Sequence, residues 1–435
     1  MIKIKLGDYL DVKRGASLSG EYYTKNGSLI RLTLGNFNYP GGGFKYNDSK
    51  EDIFFVGKIK DEFILNKGDI ITPLTEQVEG LLGETATIPE TGKFIQSGDI
   101  GLVKPNENKI NKRFVYYLLA SPIIKKQLSA SAQQTKIRHT SPDAIKSCEA
   151  WIPDKLSTQS KIARFLDNIN DKININSTII SELDSMAKLI YAYWFVQFDF
   201  PDENGRPYKS SGGKMVWNKE LKREIPEGWE VGKLGDSIST ERGIAYSSVN
   251  IKSGDGVPML NLATFTPGSG KFKAEGLKHF LGKYSKNKIL KPYDLILCNT
   301  QQTAIKYDTD IIGRAMLVPD IFDNNEIVFS HHVNVIRSNT ENLKYYLLYL
   351  FNSNYFHRYI SGFTSGTNIT GLDISGINNY LIGFPPNNIL ILFAKIIHSF
   401  QQINNNIYIQ NKMLVSLRDF LLPLLMNGQI KVSAQ

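Results

Sequence analysis

The sequence predicts an α+β fold built twice. Two mixed α/β domains are each followed by one long helix, and the two helices pair as an antiparallel coiled coil about a pseudo-two-fold axis. Two observations predict this. The first is an internal repeat. Lys5-Leu6-Gly7-Asp8 returns as Lys233-Leu234-Gly235-Asp236, and at the same offset Arg14-Gly15 becomes Arg242-Gly243, Leu34 becomes Leu262 and Phe37 becomes Phe265. After a small drift Asp69 matches Asp294, Thr75 matches Thr300, and Gly83 with Pro89 matches Gly313 with Pro319. Solenoid repeats run ~20–50 residues, so a period this long is a duplicated domain. The second observation is a change of hydrophobic period from short runs to heptads after each copy.

The elements follow in order. Residues 1–155 read as short strands separated by Gly, Pro and Asn, such as Asp69–Thr72 and Ile100–Val103, with one helix around Phe114–Leu119 stopped near Ser121-Pro122. Residues 156–200 carry a sustained a/d pattern: Ile162, Leu166, Ile169, Ile173, Asn176, Ile180, Leu183, Ala187, Ile190 and Trp194. Ser157 or Thr158 can cap its start. Residues 201–228 are rich in turn residues and form a connector. Residues 229–386 repeat the first domain, with Tyr345–Leu350 as the matching helix. Residues 387–426 repeat the heptads as Ile396, Phe400, Ile403, Ile407, Gln410, Leu414, Leu417, Leu421 and Leu424, and Gly428 ends them before the tail 427–435. Asn176 and Gln410 occupy equivalent seam positions, where a polar residue fixes register. Antiparallel pairing would place the domains at opposite ends of a rod of ~50 Å, at ~1.5 Å rise per residue.

Composition bounds the function classes. The chain has 435 residues, 42% of them hydrophobic and 21% charged, with a net charge of +9. That balance permits a nucleic-acid partner. Cys148 and Cys298 are far apart, which argues against a disulfide framework or a zinc site. No apolar run long enough for a membrane span is present, and Met-Ile-Lys-Ile-Lys lacks a signal-peptide core, so a cytoplasmic location is expected.

No catalytic constellation emerges. Gly268-Ser269-Gly270-Lys271-Phe272 lacks the upstream Gly and the final Ser/Thr of a phosphate loop and reads as a hairpin turn. His331-His332, read as strand residues, would point to opposite faces and could not share a metal. Pro142-Asp143 with Glu149 lacks the lysine of a nuclease triad. A large duplicated chain without a catalytic set is a binder or an adaptor.

Polar loops recur at matching places. Thr72–Gln77, including Thr75 and Gln77, matches Leu297–Thr303, including Asn299, Gln301, Gln302 and Thr303. Near each domain's end come Gln133, Gln134, Lys136 and Arg138, and then Thr367 and Asn368. Asn and Gln pair bidentately with adenine edges, and Arg or Lys with guanine, in the major groove. Between Lys271 and Lys291 seven lysines, Lys271 and Lys273 among them, face only Glu275, which suits phosphate contacts. One scaffold with divergent loops is what two different half-site readers require. The residues leave open a freestanding DNA-binding regulator and a coiled-coil adaptor without nucleic acid.

Several stretches carry a resemblance: Lys-Leu-Gly-Asp opening each domain, Tyr193-Trp194-Phe195 leading to Phe198-Asp199-Phe200-Pro201, Ile225-Pro226-Glu227-Gly228-Trp229, and the ending Leu421–Gln429. Over essentially its whole length the chain resembles the specificity subunit of Type I restriction-modification systems. Arg14-Gly15-Ala16-Ser17 and Arg242-Gly243-Ile244-Ala245 stand where that family has Gly-Gly-Thr-Pro. The resemblance implies a non-catalytic subunit that reads a bipartite, asymmetric sequence in double-stranded DNA with one target-recognition domain per half. It implies helices that dock two methylation subunits, and restriction/translocase subunits in the larger complex. No cofactor is expected on this chain; S-adenosylmethionine, and ATP with Mg, are expected on the partners. Trp194, Phe195 and the apolar ending Leu421–Met426 exceed what one two-helix seam can bury and are expected to pack on the methylation subunits or the ends of the recognition domains, and truncation after Arg418 is expected to abolish assembly while leaving each recognition domain folded.

Overall fold

A computed structural model describes residues 1–39, 41–47, 51–76, 78–131, 138–252, 255–302, 309–322 and 326–432. The chain divides into two compact units, Met1–Ile175 with Asn411–Gln435, and Asn176–Gln410. Each unit contains one α/β domain and half of each long helix.

In the first unit a four-stranded antiparallel sheet runs in the order Leu10–Arg14, Ile100–Pro105, Ile70–Pro73, Ala86–Thr87. Ile70–Pro73 is buried along its whole length. Strand Ile2–Lys5 pairs antiparallel with Glu149–Ile152, so the domain opens and closes at one place. A smaller sheet joins Tyr23–Thr24, Phe54–Phe55, Ile30–Arg31 and Phe94–Ile95.

The second unit repeats this plan. Its four-stranded sheet runs Ile238–Arg242, Val333–Ser338, Leu295–Cys298, Ala315–Leu317, and Glu230–Lys233 pairs with Leu381–Phe384. Repeated residues do the same work in both copies. Asp69 Oδ2 accepts from the Asn66 amide at 2.8 Å, and Asp294 Oδ2 from the Lys291 amide at 2.9 Å. Gly83 and Gly313 have φ of 87° and 72°, a region that disfavours side chains. The Gly268–Phe272 run is a hairpin: Phe265 bridges Phe272, and the Thr266 amide donates to the Lys271 carbonyl at 2.7 Å. Where the sequence predicts one short helix per domain, the described residues hold two in succession, Lys112–Leu119 with Pro122–Ser131 and Leu343–Asn352 with Asn354–Ile360, followed later by a shorter one, Pro142–Ser147 and Ser375–Asn378. Pro122 suits a first helical position, where its missing amide hydrogen costs nothing.

The first long helix spans Leu156–Tyr191 and continues through a wider turn, Ala192–Val196, in which the Gln197 amide donates to the Ala192 carbonyl. It starts at Leu156, ahead of the position that a Ser157 or Thr158 cap would require. Gln159 anchors it instead, donating to the Pro153 carbonyl at 2.8 Å and accepting from the Asn111 amide at 2.8 Å. Every predicted seam residue of this helix is buried or half-buried. The second helix, Asn387–Met426, does not keep the predicted frame: Ile403, Gln410 and Leu417 are exposed, whereas Leu390, Phe393, Ile397, Leu422 and Leu425 are buried. A domain packs beside the helix pair in each unit, so the buried stripe is wider than a two-helix seam. Asn176 is buried and donates to Gln410 Oε1 at 2.7 Å, joining the two predicted polar positions.

The ending takes the second of its two expected places, against a recognition domain. Leu422, Leu425 and Met426 belong to the core of the first unit, with Ile162, Leu166 and Phe114. Trp194 and Phe195 are buried in the second unit, where Phe195 meets Tyr346 and Phe393 edge-on, each at 4.9 Å between ring centroids.

Candidate nucleic-acid interface

In each unit the structure joins the two polar segments that the repeat singles out. Thr75–Glu76 pairs antiparallel with Arg138–His139. Thr300–Gln302 pairs antiparallel with Ile369–Leu372, which also pairs with Thr364–Ser365. The ladders are rooted alike. The Leu74 amide donates to the Asp99 carbonyl, and the Leu74 carbonyl accepts from Thr140; the Asn299 amide donates to His332, and the Asn299 carbonyl accepts from Leu372. Neither pairing is visible as a sequence neighbour, because the partners are well separated along the chain.

Buried side chains close the loop beyond each ladder. Glu76 Oε2 accepts from the Leu82 amide at 3.0 Å while Oε1 accepts from Arg138 Nη1 at 2.9 Å. At the equivalent place Gln301 Nε2 donates to Asp310 Oδ1 at 2.6 Å and Oε1 accepts from the Ile311 amide at 2.8 Å. Glu76 and Asp310 are residues of the candidate site that sequence reasoning missed; Glu76 carries a signal as a charged residue inside a buried strand, whereas Asp310 is half-buried outside any strand and carries none.

The expected contact residues therefore separate. Thr75 is buried in its strand, and Arg138 is half-buried against Glu76. Asn299 is buried and donates to Asn334 Oδ1 at 2.7 Å; Gln301 is buried with both ends of its amide bonded. These four hold the scaffold. Gln302 lies in the ladder. Thr367 and Asn368 are exposed at the tip between Thr364–Ser365 and Ile369–Leu372. Gln77, Gln133, Gln134, Lys136 and Thr303 lie outside the described residues. The structure thus reassigns Gln301: Gln301→Ala strands a carboxylate and an amide, and we expect ~1–3 kcal/mol lost from the second unit, read as a lower Tm, rather than a relaxed base preference.

The lysine run divides too. Lys271 pairs with Asp184 on the first long helix at 2.9 Å, and Lys288 pairs with Glu241 at 2.8 Å. Burial alone would raise the Asp184 carboxyl, but the hydrogen bonds and charges of Lys271 and Lys188 outweigh it and hold it below its usual value. Lys278 donates to the Tyr246 hydroxyl at 3.2 Å. Lys273, Lys283, Lys286 and Lys291 are exposed and have no ion pair among the described residues. His331 and His332 occupy a turn rather than a strand, which lets their rings stack at 3.9 Å between centroids. Burial first, then the charges of His331, Arg242 and Lys278, push His332 down to about 4. It is therefore neutral at neutral pH, and its Nδ1 shares a 2.5 Å hydrogen bond with the Thr300 hydroxyl.

Two α/β frames that repeat one another, each presenting a polar ladder of different sequence, match a known family. The family described as "Type I restriction modification DNA specificity domain" matches residues 2–185 and 226–413. The chain belongs to that family. Its relatives include the Type I restriction enzyme MjaIX specificity subunit of Methanocaldococcus jannaschii, 27% identical over 73% of this chain and 69% of that protein. Another is the Type I restriction enzyme HindI specificity subunit of Haemophilus influenzae, 22% identical over 78% of this chain and 81% of that one. The fold is shared with the S subunit of a Type I restriction-modification system from M. genitalium, with a TM-score of 0.55 at 14% identity, covering 98% of this chain and 96% of that one.

This Type I specificity subunit carries DNA recognition domains and is not itself catalytic. Among its described residues no group of His, Cys, Asp or Glu could hold a metal ion, and no helix is long and apolar enough to cross a membrane. Burial pushes the Cys148 thiol up to about 11 and Cys298 to about 12, so neither is a ready nucleophile.

Proposed function

We propose that this specificity subunit reads a bipartite, asymmetric sequence in double-stranded DNA, one half per recognition domain, 1–155 and 229–386. The observation that carries the reading is the pair of ladders, rooted by the same backbone bonds but different in sequence. Shared framework with divergent polar strands is what two unlike half-sites call for. The reading segments are those beyond the closing side chains Glu76 and Gln301, together with Thr367 and Asn368. The experiment is to co-express the subunit with its methylation partner in a host free of other adenine methylation and map the modified sites. An asymmetric motif in two parts supports the reading; a single continuous motif contradicts it.

The same subunit scaffolds two methylation subunits and, with them, restriction/translocase subunits. S-adenosylmethionine, and ATP with Mg, belong to those partners, and the complex works in the cytoplasm. Exposed apolar residues on the long helices support this. Ile179, Met186 and Leu189 are exposed on the first, Met413, Leu417 and Phe420 on the second. Counted from Asn176 and Gln410, Ile179 matches Met413 and Met186 matches Phe420. Equivalent apolar positions suit two copies of one partner. Met186→Asp should remove one methylation subunit from the complex and Phe420→Asp the other, read as native mass; full stoichiometry in the double variant would contradict this.

A further inference from the structure

Arg14 and Arg242 are the same residue at the same place in the two copies. Each ends the edge strand of its four-stranded sheet, opposite Gly101 and Asn334 respectively, and each is exposed. Each is followed by a glycine that the backbone requires. A Cβ on Gly15 would lie 2.3 Å from the Ser97 carbonyl oxygen, and one on Gly243 2.3 Å from those of Phe329 and Ser330. The close approach pins the backbone from which each arginine extends.

Each guanidinium reaches the root of its own domain's ladder. Arg14 Nη2 donates to the Thr140 carbonyl at 3.3 Å, beside His139 of the ladder. Arg242 Nε donates to the His331 carbonyl at 2.8 Å, beside His332, whose carbonyl takes the Asn299 amide and whose ring bonds Thr300. A guanidinium has five N–H donors, so most remain uncommitted. No carboxylate pairs with either arginine among the described residues, whereas Arg113, Arg138 and Arg337 are all in ion pairs. The residues around them differ between copies: Asp99 stands where the second copy has His332, and Lys13 where it has Glu241.

What the two halves of an asymmetric target have in common is the sugar-phosphate backbone, which positions a protein without carrying sequence information. We propose that Arg14 and Arg242 each clamp a backbone phosphate of the DNA beside the ladder of their own domain, and so set the register of the reading segment against the duplex. Arginine suits the role, because its planar fork binds phosphate oxygens bidentately while one donor stays anchored to the protein. The proposal rests on the reading of the two domains as DNA binders.

The test uses the full chain assembled with its methylation subunits and a labelled duplex of random sequence, titrated with salt. Each of Arg14→Ala and Arg242→Ala should flatten the slope of log affinity against log salt by ~0.9, and the double variant by ~1.8. Between about 50 and 200 mM salt, one such loss makes the fall in affinity roughly 3.5-fold smaller than in the parent. The modified DNA motif should not change. Arg14→Gln and Arg242→Gln, which keep a donor for the carbonyl and remove the charge, should give the same loss of slope, and this separates the charge from any effect on folding. Unchanged slopes in the Gln variants overturn the proposal, and so does a change of base preference at one position of the motif. A parent complex that binds no duplex would instead overturn the DNA-reading function itself.

Discussion

Replacing residues 1–155 with the matching domain of a relative will change one half of the modified DNA sequence and leave the other half as it was. The first domain opens and closes on one strand pair, Ile2–Lys5 with Glu149–Ile152, so the cut falls outside its sheets. Its ladder, Thr75–Glu76 with Arg138–His139, is made entirely of residues within the exchanged piece. The graft must fit the helices, because Ile162, Leu166, Leu422, Leu425 and Met426 share the core of that unit. Donors that keep apolar residues of similar volume against those five are therefore the ones expected to fold. The measurement is the set of methylated sites before and after exchange. If both halves of the motif change together, the two domains do not read independently.

Truncation after Arg418 will unfold the first unit. It removes Leu422, Leu425 and Met426, which are 9%, 2% and 0% exposed and pack with Ile162, Leu166 and Phe114. Burying a large apolar side chain contributes ~1.5–3 kcal/mol, so the three together approach the ~5–15 kcal/mol that stabilises a whole domain. Hydrogen exchange should show helix Lys112–Leu119 losing its protection while Leu343–Asn352, in the core of the second unit, keeps it. Leu425→Ala alone should cost ~2–5 kcal/mol. Native protection of Lys112–Leu119 in the truncated chain would place those leucines outside the fold.

The duplication was legible because the repeated residues carry the frame. Gly15 and Gly243 sit where a Cβ would strike backbone, and Asp69 and Asp294 cap the same turn. The helices were legible from their heptads, and Asn176 with Gln410 from its polar break in them. What was not legible is which side chains the third dimension covers. Asn299 and Gln301 stand in a run of amides that looks like a reading surface, yet Asn334, on another strand, and Asp310, across the following loop, take up their side chains. A period of two cannot identify an exposed face when a strand is covered on both. The second helix was misframed for a related reason, since a heptad describes contact with one neighbour and this helix has two. The histidine pair was misread because a turn, unlike a strand, lets adjacent rings meet.

If one framework used twice reads two half-sites independently, one domain can stand in for the other. The most direct measurement takes a chain whose residues 229–386 are replaced by a second copy of residues 1–155, assembles it with the methylation subunits, and maps modified adenines across a genome. The expected target has two parts that are the same half-site, the one that residues 1–155 read in the parent. A fully assembled complex that still modifies two unlike half-sites would contradict it.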